Sequence, residues 1–155
     1  MAKRMIRFPT GLFLAYSRFT RGMTLGVRGA VFDDEGRILL VRHSYLPGWY
    51  MPGGGVEPGE SMQESLGREL IEEGGIALTG RARLFGLYWN AHASPRDHVA
   101  LYVCRDWDQA HPPPRNMEIV DSGFFSPDAL PKETTDATRR RLAEIAGETE
   151  PAAEW

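Results

Sequence analysis

The chain predicts an α/β fold, a three-layer α/β/α sandwich with a central mixed sheet. Three observations predict it. Strand-length runs rich in aliphatic and aromatic residues lie at 25–32, 37–43, 82–89, 98–105 and 119–125. A helix with clear start and stop signals interrupts them between residues 61 and 75. A second helical pattern closes the set at 135–146, with Leu142, Ile145 and Ala146 on its inner face.

Taken in order, residues 1–23 read as an N-terminal arm or short helix. Lys3, Arg4 and Arg7 precede an apolar patch, Leu12-Phe13-Leu14-Ala15-Tyr16, which resembles a secretory signal only superficially. The patch is too short and runs into Arg18 and Arg21. Residues 8–22 are expected as a short amphipathic helix or extended arm packing on the domain, with a membrane-surface or dimer role left open. The main domain spans 24–147. Its first two strands flank the turn Asp33-Asp34-Glu35-Gly36, which predicts a hairpin. A short strand holds Trp49-Tyr50-Met51. Residues 90–97 form a polar loop, and 107–117, with Pro112, Pro113 and Pro114, an irregular one. Residues 148–155 are expected to be a flexible tail.

A length of 155 residues gives room for one domain with a genuine core. Hydrophobic residues make up 42% and charged residues 25%, ordinary for a soluble globular protein. A net charge of −3 argues against general affinity for nucleic acid or anionic membrane, so no nucleic-acid or membrane partner is expected. The sole cysteine, Cys104, has no internal disulfide partner, which fits a reducing, cytoplasmic setting. Its strand context marks it as a core residue rather than a nucleophile.

Chemistry concentrates between Gly54 and Ile76. Ser61 and Glu64 have the spacing of a capping box, and Gly74 and Gly75 can end the helix in the left-handed conformation. Inside it, Glu69, Glu72 and Glu73 stand at i, i+3 and i+4, on one face. Like charges so placed repel by roughly 0.2–0.5 kcal/mol per pair. Such a run alone is usually a solvated acidic face. Here Gly53, Gly54 and Gly55 precede it, where the backbone can bend and turn a carbonyl toward a cation. Converging hard oxygen ligands suit Mg2+ or Mn2+.

This stretch resembles the signature of the Nudix hydrolases, G-x5-E-x7-R-E-U-x-E-E-x-G-U, with U aliphatic. It reads Gly54, Glu60, Arg68, Glu69, Leu70, Glu72, Glu73, Gly75 and Ile76, with every fixed position filled. The resemblance implies the Nudix fold and a metal-dependent hydrolase. The reaction would split the pyrophosphate bond of a nucleoside diphosphate linked to another moiety X, giving a nucleoside monophosphate and X-phosphate. It implies roles as well. Gly54, Glu69, Glu72 and Glu73 would ligate the metal, and Glu69 would serve as third ligand or as base. Arg68 would hold Glu69, and Glu60 would brace Arg68; the bland alternative is a surface ion pair worth little.

Substrate contacts lie outside this stretch. Arg28, Arg42 and Arg96 are candidates for phosphate, and Tyr88, with Trp49 and Trp89, for stacking on a base. His43, His92 and His98 have no visible partner and carry no assigned role. Glu118 falls where some relatives place a further acidic ligand or base; a surface role is equally open. A small-molecule nucleotide partner is expected, and a homodimer stays open. Two alternatives remain: a catalytically silent nucleotide-binding module, or an RNA 5′-end pyrophosphohydrolase, which needs a basic path that the chain lacks near the acidic helix.

Overall fold

The computed structural model describes residues 10–112 and 117–155. Its elements run α1 (Thr10–Thr20), β1 (Thr24–Val31), β2 (Ile38–His43), α2 (Met62–Gly74), β3 (Ile76–Leu78), β4 (Arg83–Trp89), β5 (Asp97–Cys104), β6 (Trp107–Gln109), β7 (Ile119–Phe125), a 3-10 turn (Pro127–Ala129) and α3 (Asp136–Ala146). The N-terminal segment, expected as a short helix or an extended arm, is helical over α1, with Tyr16 and Phe19 exposed; residues 1–9 lie outside the described residues. No helix among the described residues is long and apolar enough to cross a membrane.

The central sheet is mixed. β5 pairs parallel with β1 and antiparallel with β4. β2 pairs antiparallel with β7, and β3 with β6. The hairpin expected of β1 and β2 does not form as a ladder. Asp33 caps the turn, accepting from Arg37 N–H at 2.8 Å, but the two strands share only the bridge Phe32–Ile38. Both strands are apolar on both faces, so each can be buried inside a sheet with a distant partner. Part of the loop expected over 107–117 is likewise ordered as β6, because β3 offers it an edge. Residues 113–116 lie outside the described residues.

Alternation along the strands makes two cores. Val27 and Val31 of β1, Leu39 of β2, and Ala100, Tyr102 and Cys104 of β5 pack with Leu66 and Leu70 of α2. Ala30, Leu40, Leu101 and Val103 point the other way, onto Trp49, Met51, Tyr88 and Leu142 of α3. Burial pushes the Cys104 thiol up to about 12, so it is inert, as its strand context implied. α2 crosses β1 closely at Gly29, where a Cβ would lie 3.0 Å from Leu70 Cδ2 and 3.3 Å from Leu66 Cδ1. Leu70→Ala is therefore expected to cost about 2–5 kcal/mol in chemical denaturation. A loss under 1 kcal/mol would contradict this packing.

α3 starts at the Thr135 N-cap, but its inner face is not purely apolar. Leu142 is buried and Ile145 partly so, whereas Ala146 is exposed and Arg141 and Glu144 are buried. The segment 148–155, expected to fray, is instead docked. Trp89 N–H donates to the Ala153 carbonyl and Trp155 N–H to the Trp89 carbonyl, each at 2.9 Å. Glu144 Oε1 accepts the Ala152 N–H at 3.0 Å, and Arg141 Nη1 donates to the Glu154 carbonyl at 2.8 Å. Hydrogen bonds to buried charge hold the segment against the edge of β4.

Candidate active site

α2 presents its carboxylates to the loop Gly53–Gly54–Gly55. The capping box forms in both directions, with Ser61 Oγ accepting from Glu64 N–H and the Glu64 carboxylate from Ser61 N–H. Gly75 closes the helix in the left-handed region, φ 67°, its N–H donating to Ile71 and Leu70 carbonyls. Between these fixed ends, Leu66 and Leu70 anchor one face and the glutamates take the other.

Arg68 is the hub. Its Nε and Nη2 meet the two oxygens of Glu60 at 2.8 and 3.1 Å, a bidentate pair. Its Nη1 donates to Glu69 Oε1 at 2.7 Å and reaches Glu72 Oε2 at 3.4 Å. Nη2 also donates to the Gly55 carbonyl at 3.2 Å, tying helix to loop. The guanidinium pulls the Glu60 carboxyl down to about 2 and is itself raised by Glu60 and Glu69. Glu69 is raised by burial, which outweighs its contact with Arg68.

Glu73 is the deepest of the signature carboxylates, 5% exposed. Its Oε2 accepts the Gly53 N–H at 2.8 Å. Burial, reinforced by Glu69 and Glu118, pushes it up to about 7 despite that bond and the positive field of Arg28. His43 Nε2 lies 3.5 Å from Glu73 Oε1. Burial and Arg28 lower the His43 pKa, so this is a contact of neutral imidazole with carboxyl. His43 Nδ1 is buried with no hydrogen-bond partner among the described residues. His43, Glu73 and Glu118 each place one ligand atom within 4.8 Å of the others. The Tyr45 hydroxyl donates to Glu118 Oε1 at 3.0 Å.

The donor set fits a hard divalent cation. A buried carboxylate group with too little positive charge around it is stabilised by one. The Gly54 position fits as well. A Cβ there would come within 2.6 Å of the Glu69 carboxyl carbon, so the carboxylate rests in a cradle that any other residue would fill. The Gly54 carbonyl accepts Val27 N–H at 2.8 Å, leaving its second lone pair for a ligand role.

The substrate candidates scatter. Arg28, on β1, donates through Nη1 to the Met51 and Gly53 carbonyls at 3.0 and 2.8 Å, bracing the glycine loop. It also lines two adjoining cavities of ≈ 280 and ≈ 210 Å³. Arg42 is exposed beside another cavity, of ≈ 460 Å³, lined also by His43 and Tyr45. Arg96 is exposed in the 90–97 loop and lines none of these three. Tyr88 corrects the expectation. It is 1% exposed in the second core and donates its hydroxyl to Glu144 at 2.8 Å, so it cannot stack on a base. Trp49 is likewise a core residue, edge-on to Phe125. His43 and Trp155 are the neighbours that sequence reading did not place. Only pairing β2 with β7, which sets His43 opposite Ile119 beside Glu118, reveals the first.

The NUDIX domain family model matches residues 22–144. The NAD-capped RNA hydrolase NudC of Chromobacterium violaceum is 34% identical over 120 residues, 75% of this chain and 41% of that protein. The RNA pyrophosphohydrolase of Coxiella burnetii is 33% identical over 88 residues, 56% of this chain and 31% of that protein. The chain thus spans less than half the length of these two curated relatives. A MutT NUDIX hydrolase structure from Burkholderia pseudomallei aligns with TM-score 0.67 and 30% identity, over 79% of this chain and 97% of that one. An ADP-ribose pyrophosphatase structure from Streptococcus suis aligns with TM-score 0.63 and 28% identity, over 83% and 94%. With the family model covering most of the sequence and the acidic helix filling every position of the signature, this chain belongs to the Nudix family.

Proposed function

We propose that the protein is a metal-dependent pyrophosphohydrolase. Its substrate would be a nucleoside diphosphate linked to a moiety X, cut to a nucleoside monophosphate and X-phosphate. The observation that carries this reading is the convergence of Glu69 and Glu73 on the Gly53–Gly54 loop, with Arg68 gripping Glu60, Glu69 and Glu72. Enzymes of the family use divalent metal ions, and Mg2+ or Mn2+ held by Glu69, Glu72, Glu73 and the Gly54 carbonyl would neutralise the diphosphate and acidify water. Arg68 keeps Glu69 aimed at the loop. Glu69, and Glu118 beside Glu73, are the groups assigned to take a proton from attacking water. Glu73, wedged between Gly53 N–H and His43, fixes the far side. All the signature carboxylates are retained, which disfavours a silent binding module.

The test is a hydrolysis screen, with and without Mg2+, over nucleotide sugars, dinucleoside polyphosphates, ADP-ribose and nucleoside triphosphates. No metal-stimulated turnover on any of them would sink the reading. Gly54→Ala is expected to cost about a hundredfold in kcat/KM, because the new methyl displaces Glu69. A variant within about twofold of wild type would show the cradle to be irrelevant.

RNA-end hydrolysis is the second reading, favoured by what two relatives are named for. It uses the same bond chemistry. The net charge of −3 weighs against it. A capped or triphosphorylated oligonucleotide cleaved faster than free nucleotides, with steep weakening by salt, would establish it.

A further inference from the structure

The two cavities flanking Arg28 adjoin, sharing Arg28 and Asn90 in their walls. The larger, of ≈ 280 Å³, touches Gly26, Gly54, Asp97 and Asn90, and so reaches the glycine loop against which Glu69 rests. The other, of ≈ 210 Å³, lies beyond Arg28 and Asn90 and is walled by Tyr50, Thr135, Thr138 and Trp155. Arg28 lines both, and the Asn90 amide at their junction is fixed by donating to Asp97 Oδ2 at 2.8 Å. An elongated ligand fits these adjoining cavities with its negative end at the acidic loop, beside Arg28, and a flat ring among Tyr50 and Trp155.

Trp155 is there because a buried charge pair holds it. Arg141 is 0% exposed, an unusual place for a guanidinium, and it sits 4.3 Å over the Tyr88 ring and 5.5 Å over the Trp155 ring. Its charge is met by Glu144, whose two oxygens also take Tyr88 OH and Ala152 N–H. Arg141 Nη1 goes to the Glu154 carbonyl. Burying an ion pair is costly, and replacement by apolar residues is often neutral or stabilising. Two of this pair's bonds are nonetheless made to the backbone of one docked segment. The Trp155 ring is set edge-on to Tyr88, centroids 5.6 Å apart, which further fixes its plane.

We infer that segment 151–155 completes the substrate site, and that Trp155 is the aromatic wall against which the nucleobase of the substrate stacks. Arg28 then lies between base and diphosphate. This rests on the pyrophosphohydrolase reading above and names the part of the substrate that the signature residues do not touch.

Calorimetric titration of AMP, GMP, CMP and UMP, with ribose 5-phosphate as a ligand lacking the base, tests it on the full chain. Wild type should bind at least one monophosphate. Trp155→Ala should weaken that binding roughly tenfold to a hundredfold, while Trp155→Phe, which still stacks, should stay within about threefold. Ribose 5-phosphate binding should be unchanged in both. The inference fails if Trp155→Ala binds the monophosphate as wild type does, if wild type binds none, or if ribose 5-phosphate weakens equally. Hydrolysis is read separately. Trp155-dependent monophosphate binding without turnover of any substrate would overturn the enzymatic reading and leave the pocket standing. Metal-dependent turnover indifferent to Trp155→Ala would do the reverse.

Discussion

Glu73→Gln is expected to lower kcat/KM by two to three orders of magnitude while making the metal-free protein more stable. The activity loss follows from removing a full negative charge from the cation site, where metal contributes several kcal/mol of charge stabilisation. The gain in stability follows from where the charge sits. Glu73 is pushed up to about 7 by burial, against an unfolded value near 4.5. Below pH 4.5 both states hold the proton and the carboxyl carries no penalty. As pH rises from 4.5 to 7 the unfolded chain releases its proton first, so folding stability falls. Above 7 the deficit is complete, up to about 3 kcal/mol. Glutamine does not titrate and can still accept the Gly53 N–H. The difference in melting temperature between variant and wild type, with chelator present, should therefore be large at pH 8 and small at pH 4.5. Mg2+ should raise the wild type and not the variant. A variant that keeps near-wild-type turnover, or that melts lower at pH 8, would overturn the ligand assignment.

Arg141→Ala is expected to destabilise the protein by about 3–5 kcal/mol, because it leaves Glu144 buried without its counter-charge. The same substitution removes the bond to the Glu154 carbonyl and the cation over Tyr88 and Trp155. The segment 150–155 should then become protease-sensitive before global unfolding. Arg141→Met with Glu144→Leu keeps the volume apolar and should recover most of the stability but not the docking of the segment. Denaturant titration with limited proteolysis checks both. A single mutant as stable as wild type would show that the ion pair is solvated.

The acidic helix was legible in the sequence because its signals are local. Ser61, Glu64 and Gly75 specify its ends within a turn, and the contacts of Glu60, Arg68 and Glu69 are implied by the resemblance that this local signature carries. What escaped depends on distant pairing. β1 and β2 looked like a hairpin because a good turn joins them, but the partner of β1 is β5, on the far side of α2. His43 gained meaning only when β2 and β7 came together beside Glu73. Arg141 and Glu144, at i and i+3 on α3, are residue types that ordinarily face solvent, yet Tyr88 and the 150–155 segment cover them. Tyr88 was misplaced for the same reason. Its strand, RLFGLYW, carries large apolar residues on both faces, so which face meets solvent is decided by α3 and by that segment.

The parallel ladder between β1 and β5 joins residues at a constant separation of 73 positions, Thr24 opposite Asp97 through Val31 opposite Cys104. Closing so long a loop costs entropy before any contact rewards it. The whole acidic helix lies inside that loop, and its floor, Val27, Val31, Ala100 and Tyr102, comes from both of the loop's ends. Such non-local topology favours slow, all-or-none assembly. A fragment stopping before residue 97 would retain every residue of the signature and have no sheet on which to set them.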